Sequence, residues 1–176
     1  MMKLKPSVKL AYGSVILLVT YSMGLNAADV STINITGNVI ASPCVVDSSN
    51  SVINVDLQQI QATTLATAGT GSEWKSFQIV LRDCPASTTK VQATFAGTQD
   101  GADAERYKNQ GTATNLSIEL TGSDGMNYGN GKTATVDVNS GSQTATFSLR
   151  TRAYTASGGV TPGSINASVV ASFTYN

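Results

Sequence analysis

From residue 33 onward, apolar and polar residues alternate with a period of two, in short runs separated by Gly, Asn, Asp and Ser. That period puts every second side chain on one face of a strand and predicts half-buried β-strands joined by turns. Ile53, Val55 and Leu57 share one face of a first strand, and Phe77, Ile79 and Leu81 share a face of a second that begins near Trp74. Further strands are expected around Val91-Ala93-Phe95, Leu116-Ile118-Leu120, Val136-Val138 and Ala145-Phe147-Leu149. Their spacing is that of a Greek-key sandwich, and no long amphipathic helix interrupts it. Residues 58–71 lack alternation and fit a short helical turn, whereas residues 99–111 read as an exposed connection with solvated charges and Tyr107 as a partial core residue. Trp74, at the head of an alternating strand, is expected in the core.

The two ends of this pattern do not balance. The last strand places Ala167, Val169, Ala171, Phe173 and Tyr175 on one face, with Gly163 just ahead of it. An immunoglobulin-like sandwich needs one more strand beyond that point to cover its core. Ahead of Cys44, meanwhile, the alternating segment Ile33, Ile35, Gly37, Val39 is spare. The expectation is an all-β, incomplete immunoglobulin-like sandwich lacking its final strand. Such an edge leaves backbone groups unpaired and apolar side chains in water, and an added alternating strand relieves both. Burying three or four aliphatic side chains offers on the order of 5–10 kcal/mol before the cost of ordering the strand. Gly37 suits a close passage of the added strand over its host sheet, or alternatively a bulge or turn.

The N-terminal residues change the compartment. Lys3, Lys5 and Lys9 precede an apolar run over residues 10–21, and Ala27 and Ala28 follow, which reads as a secretory signal over residues 1–27. The run is too short to span a bilayer. Cleavage after Ala27 leaves 149 of the 176 residues, with eight cations against 11 acidic groups and a net charge of −3. That charge argues against nucleic acid or an anionic membrane as partner, and no membrane insertion is expected once the signal is removed. In an oxidising compartment the two cysteines, Cys44 and Cys84, are expected to pair across 39 intervening residues. A metal or redox pair lacks both CxxC spacing and any histidine.

Candidate chemistry is sparse. The absence of His excludes Ser-His-Asp and Cys-His catalysis and His-ligated metals. Asp100, Asp103 and Asp124 lie in Gly-rich stretches as loop charges, and Gly69-Thr70-Gly71 follows a polar loop rather than a strand, so it is no dinucleotide fingerprint. Asn34, Asn115 and Asn166 each begin a glycosylation-type triplet, read as incidental strand residues. The expectation is a non-enzymatic protein without cofactors.

One family joins these features. The start Ala28-Asp29-Val30, the spacing Ile33-x-Ile35-x-Gly37-x-Val39, Pro43-Cys44, Trp74, Cys84-Pro85, the stretch Tyr107-Lys108-Asn109-Gln110-Gly111-Thr112-Ala113, and Gly163 with penultimate Tyr175 resemble subunits of chaperone–usher pili. Within that family the chain looks most like a minor adaptor of type 1 fimbriae, over essentially the whole mature chain. The resemblance implies a donor-strand extension over residues 28–41, with Ile33, Ile35, Gly37 and Val39 entering the next subunit, and a pilin domain over residues 42–176. It implies that Gly163, Ala167, Val169, Ala171, Phe173 and Tyr175 belong to the strand that pairs first with a periplasmic chaperone and then with a neighbour's donor strand. An outer-membrane usher, neighbouring subunits and a fimbrium on the bacterial surface are implied with them. The segment ahead of Ile33 is one residue longer than in the adaptor that the chain resembles, which puts Ser31 in phase and Val30 out. Possession of both a donor and an acceptor strand argues against a tip adhesin. Two other readings stand beside the adaptor: a major rod subunit, and a self-closed secreted sandwich that binds glycan with Trp74 as stacking platform.

Overall fold

The computed structural model describes residues 31–47 and 52–176. The expected signal over residues 1–27 lies outside the described residues, as do residues 28–30. The chain divides into a unit ending at Gly37 and a unit over Asn38–Asn176. Among its described residues the larger unit holds nine strands and one short 3-10 turn, Ala62–Leu65, where residues 58–71 were expected to turn.

The strands are β1 (Val45–Val46), β2 (Thr70–Gly71), β3 (Lys75–Arg82), β4 (Lys90–Gly97), β5 (Tyr107–Lys108), β6 (Ser117–Gly122), β7 (Thr133–Asp137), β8 (Ala145–Thr155) and β9 (Val169–Tyr175). One sheet runs in the order β1-β3-β8-β6-β5, with β2 also on β8; the other is β7-β4-β9. All pairings are antiparallel. The long β8 organises the first sheet, pairing Phe77 with Leu149 and Ile79 with Phe147 on one side and Leu120 with Thr151 on the other. This is the all-β, two-sheet architecture that the alternation predicts.

The inward faces follow the period of two. Ile79 and Leu81 of β3, Val91, Ala93 and Phe95 of β4, and Ala145, Phe147, Leu149 and Ala153 of β8 form the buried core. Cys44 and Cys84 are joined in a disulfide, tying the chain ahead of β1 to the end of β3. Tyr107 is more deeply placed than expected: it is 1% exposed, and its hydroxyl donates to the Tyr128 carbonyl at 2.8 Å. Burial pushes its phenol up to about 12.

Two expectations are corrected. Residues 52–60 form no strand, although Ile53, Val55 and Leu57 keep an alternating half-buried face; a strand needs a ladder partner, and these residues pair with none among the described residues. Trp74 is not a core residue. It lies out of phase with Phe77, Ile79 and Leu81, on the outer face of its sheet, where the Arg150 and Arg152 guanidinium groups sit 4.4 and 4.2 Å from its ring centroid.

Candidate strand-accepting edge

β9 is the last strand of its sheet, so one side of its backbone has no ladder partner among the described residues. On the other side it pairs with β4 in a register that sets Tyr175 against Val91, Phe173 against Ala93 and Ala171 against Phe95. The β4 residues of these pairs are almost wholly buried, yet Val169, Ala171, Phe173 and Tyr175 are only half-buried. Ile165 and Ala167 continue the same row toward the N-terminal end of β9. A second half-buried row, Ile53, Leu57 and Ile60, packs against the same core. Apolar side chains that reach the core from an edge strand and from a segment without a ladder partner, and that stay half in water, mark a core with one cover missing.

Both ends of the β9 row are anchored. At its C-terminal end, the Asn176 amide donates to the Lys90 carbonyl at 3.0 Å, and its carbonyl accepts from the Thr89 and Lys90 amides. The Tyr175 hydroxyl donates to the Cys44 carbonyl at 3.4 Å, bringing the end of β9 to the chain that leads toward Ile53 and Leu57. Burial raises the Tyr175 phenol above its ordinary value. Phe173 packs on Phe147 with ring centroids 5.8 Å apart, linking the row to the core. At the N-terminal end, Gly163 lies where an added Cβ would run into the Thr112 and Ala113 backbone.

Such an edge can do one kind of chemistry well. An extended segment laid along β9 pairs the free backbone side and lowers alternate side chains between the two rows. The residues expected to supply such a segment are in an unsatisfied state here. Ile33, Ile35 and Val39 are 80%, 90% and 104% exposed, and residues 31–43 belong to no helix or strand. A Cβ at Gly37 would meet no heavy atom within 4 Å. The fold thus joins Cys44 with Cys84, aligns Ala167 to Tyr175 on one edge with Gly163 before them, and leaves the Ile33–Val39 positions in solvent.

A polar cluster on the outer face of the larger sheet was missed from the sequence. Glu119 accepts from Arg106 at 3.0 Å and from Arg152 at 2.7 Å, and Arg106 also pairs with Asp103. The Arg106 guanidinium lies 3.7 Å from the Tyr154 ring centroid, and Arg152 bridges Tyr154 and Trp74. The charges of residues 99–111 are therefore not all solvated. The legible trace was Arg150, Arg152 and Tyr154 at alternate positions of one strand. Among the described residues no cluster of three or more His, Cys, Asp or Glu could hold a metal, and no helix is long and apolar enough to cross a membrane.

A family model described as fimbrial protein matches residues 33–176. Protein FimG of Escherichia coli strain K12 is 39% identical over 168 residues, spanning 96% of this chain and 98% of the relative. The uncharacterized fimbrial-like protein YdeR of the same strain is 35% identical over 155 residues, spanning 88% and 90%. Among solved structures, the P pilus rod subunit PapA superposes with a TM-score of 0.67 at 19% identity, over 77% of this chain and all of that one. That last likeness bears on the fold alone.

Proposed function

The chain belongs to the fimbrial protein family, and from that premise we propose that it is a minor adaptor subunit of a chaperone–usher fimbria, joined to its neighbours by donor-strand exchange. Residues 1–27 direct export and are removed, residues 28–41 are the donor extension, and residues 42–176 are the pilin domain. Ile33, Ile35, Gly37 and Val39 enter the next subunit, while Ala167, Val169, Ala171, Phe173 and Tyr175 line the acceptor edge. A periplasmic chaperone covers that edge before assembly, an outer-membrane usher passes the subunit on, and a neighbour's donor strand then replaces the chaperone in the surface fimbrium. Strand addition of this kind between chaperones and pilins is a known recognition mode.

One observation carries the reading: β9 is an edge strand whose inward row is half-exposed, while a spare alternating apolar segment of the same chain stands in solvent. Each feature alone is a liability for a secreted protein, and together they are the two halves of a joint. Similarity to FimG over 96% of the chain favours the adaptor over the rod subunit. Trp74 does not favour the glycan-binding alternative, because two guanidinium groups already stack on it.

The test is assembly by a chain lacking residues 28–41, followed in purified fimbriae by mass spectrometry. The reading expects a subunit that reaches the chaperone and accepts a neighbour's strand but is never followed by another subunit, with the intact chain present in few copies per fibre. Normal incorporation at both ends would refute it, and an intact chain that dominates the fibre mass would make it the rod subunit.

A further inference from the structure

The stretch Tyr107-Lys108-Asn109-Gln110-Gly111-Thr112-Ala113 is only partly explained by the burial of Tyr107. Asn109 is 8% exposed, and its carboxamide is fully used. Nδ2 donates to the Ala113 carbonyl at 2.8 Å and the Ser164 carbonyl at 3.3 Å; Oδ1 accepts from the Gly111 amide at 3.0 Å and the Asn166 amide at 2.8 Å. Two of these partners lie in its own loop and two in the chain entering β9. The contact between those segments is close: a Cβ at Gly111 would strike the Ser164 carbonyl, and one at Gly163 the Ala113 amide. Gln110 donates to the Asn166 carbonyl at 2.7 Å, and Thr112 and Ser164 exchange amide-to-hydroxyl bonds at 3.0 and 2.8 Å.

This stitching lies outside the regular ladders and combines the backbone bonds Gln110 to Asn166 and Ala113 to Ser164 with side-chain bonds, of which the Asn109 carboxamide makes two to the chain entering β9. Asn166 immediately precedes Ala167, and Val169 follows as the first residue of β9. Phe173 and Tyr175, at the other end, are held by β4 and by Cys44 instead. We propose that Asn109 is a positioning residue for strand acceptance: its carboxamide sets the N-terminal end of the acceptor row, and so the donor side chain which that end admits. The proposal rests on the acceptor reading above.

The experiment adds a labelled synthetic peptide of residues 28–41, and its Ile33→Ala, Ile35→Ala and Val39→Ala versions, to the full exported chain and to its Asn109→Ala variant. Binding is read by fluorescence anisotropy and global stability by thermal melting. In the unmodified chain each truncation is expected to weaken binding about tenfold, the scale of one buried aliphatic side chain. In Asn109→Ala, one terminal truncation, at Ile33 or Val39, should lose most of its effect while the other two keep theirs. A global loss of stability alone would not produce that pattern. If Asn109→Ala is not recovered folded, Ser164→Ala, which removes the hydroxyl's bonds to Thr112 and leaves the Ser164 amide on the Thr112 hydroxyl, must show the same end-specific change in smaller degree. Equal changes at all three positions, or none, overturn the proposal. An unmodified chain that binds no peptide overturns the acceptor reading, and this proposal with it.

Discussion

Tyr107 carries a phenol that the fold holds neutral, and that fact has a direction in pH. Its pKa is pushed up to about 12 by burial, against an ordinary value near 10, and burial raises Tyr128 and Tyr175 as well, with Asp124 adding to the effect at Tyr128. Between those values the unfolded chain releases the Tyr107 proton while the folded chain keeps it. Stability is therefore fully present below pH 10 and lost as pH rises toward 12, by on the order of 2–3 kcal/mol from Tyr107 alone. Denaturant titrations from pH 7 to 12 should show a plateau followed by this decline, and Tyr107→Phe should remove the share that comes from Tyr107 and leave that of Tyr128 and Tyr175. At the same scale, Trp74 shows what a single residue type conceals. Its place at the head of an alternating strand argued for the core, but its position out of phase with Phe77, Ile79 and Leu81 assigns it to the outer face, where Arg150 and Arg152 give it partners.

Among the elements, β4 and β9 make the informative contrast. Both alternate in burial, and both pack on one core, yet Phe95 is 1% exposed whereas Phe173 is half-buried. The difference is position: β4 lies between β7 and β9, and β9 lies at the edge. Amide hydrogen exchange should therefore protect the interior strands β4 and β8 well ahead of the outward amides of β9. Adding the peptide of residues 28–41 should slow exchange along β9 and leave β8 unchanged; a β9 already as protected as β4 in the free chain would contradict the open edge. Residues 53–57 teach the complementary lesson. Their alternation was legible and still marks a half-buried face, but a ladder needs a partner, which local periodicity does not supply.

For the whole molecule, the Cys44–Cys84 bond closes a loop of about 40 residues through β1 and β3. In the chain-entropy account, a loop of that length stabilises by about 4 kcal/mol, a large share of what a domain of this size retains. Replacing both cysteines with alanine should lower the denaturation midpoint accordingly while preserving the all-β circular dichroism of any chain that folds. A loss well under 1 kcal/mol would mean that the ladder between β1 and β3 holds this region without the bond. Because the core already lacks one cover, the same removal should cost more in the free chain than in the peptide-bound one.

The sequence by itself determined the fold class, the positions of β3, β4 and β6 to β9, the cysteine pair and the alternating faces at both ends, because each depends on residue type at a local spacing, whereas the short β5 fell in a stretch read as an exposed connection. Only the tertiary structure decided which alternating strand stands at an edge, which groups cover Trp74 on the outer face, and how Asn109 comes to hold the chain entering β9. Those are relations between segments far apart in sequence: Asn109 and Asn166 lie 57 positions apart, and Tyr175 and Cys44 lie 131 apart. A period of two says which side chains share a face, but whether that face is covered depends on what the rest of the chain, or another chain, lays against it.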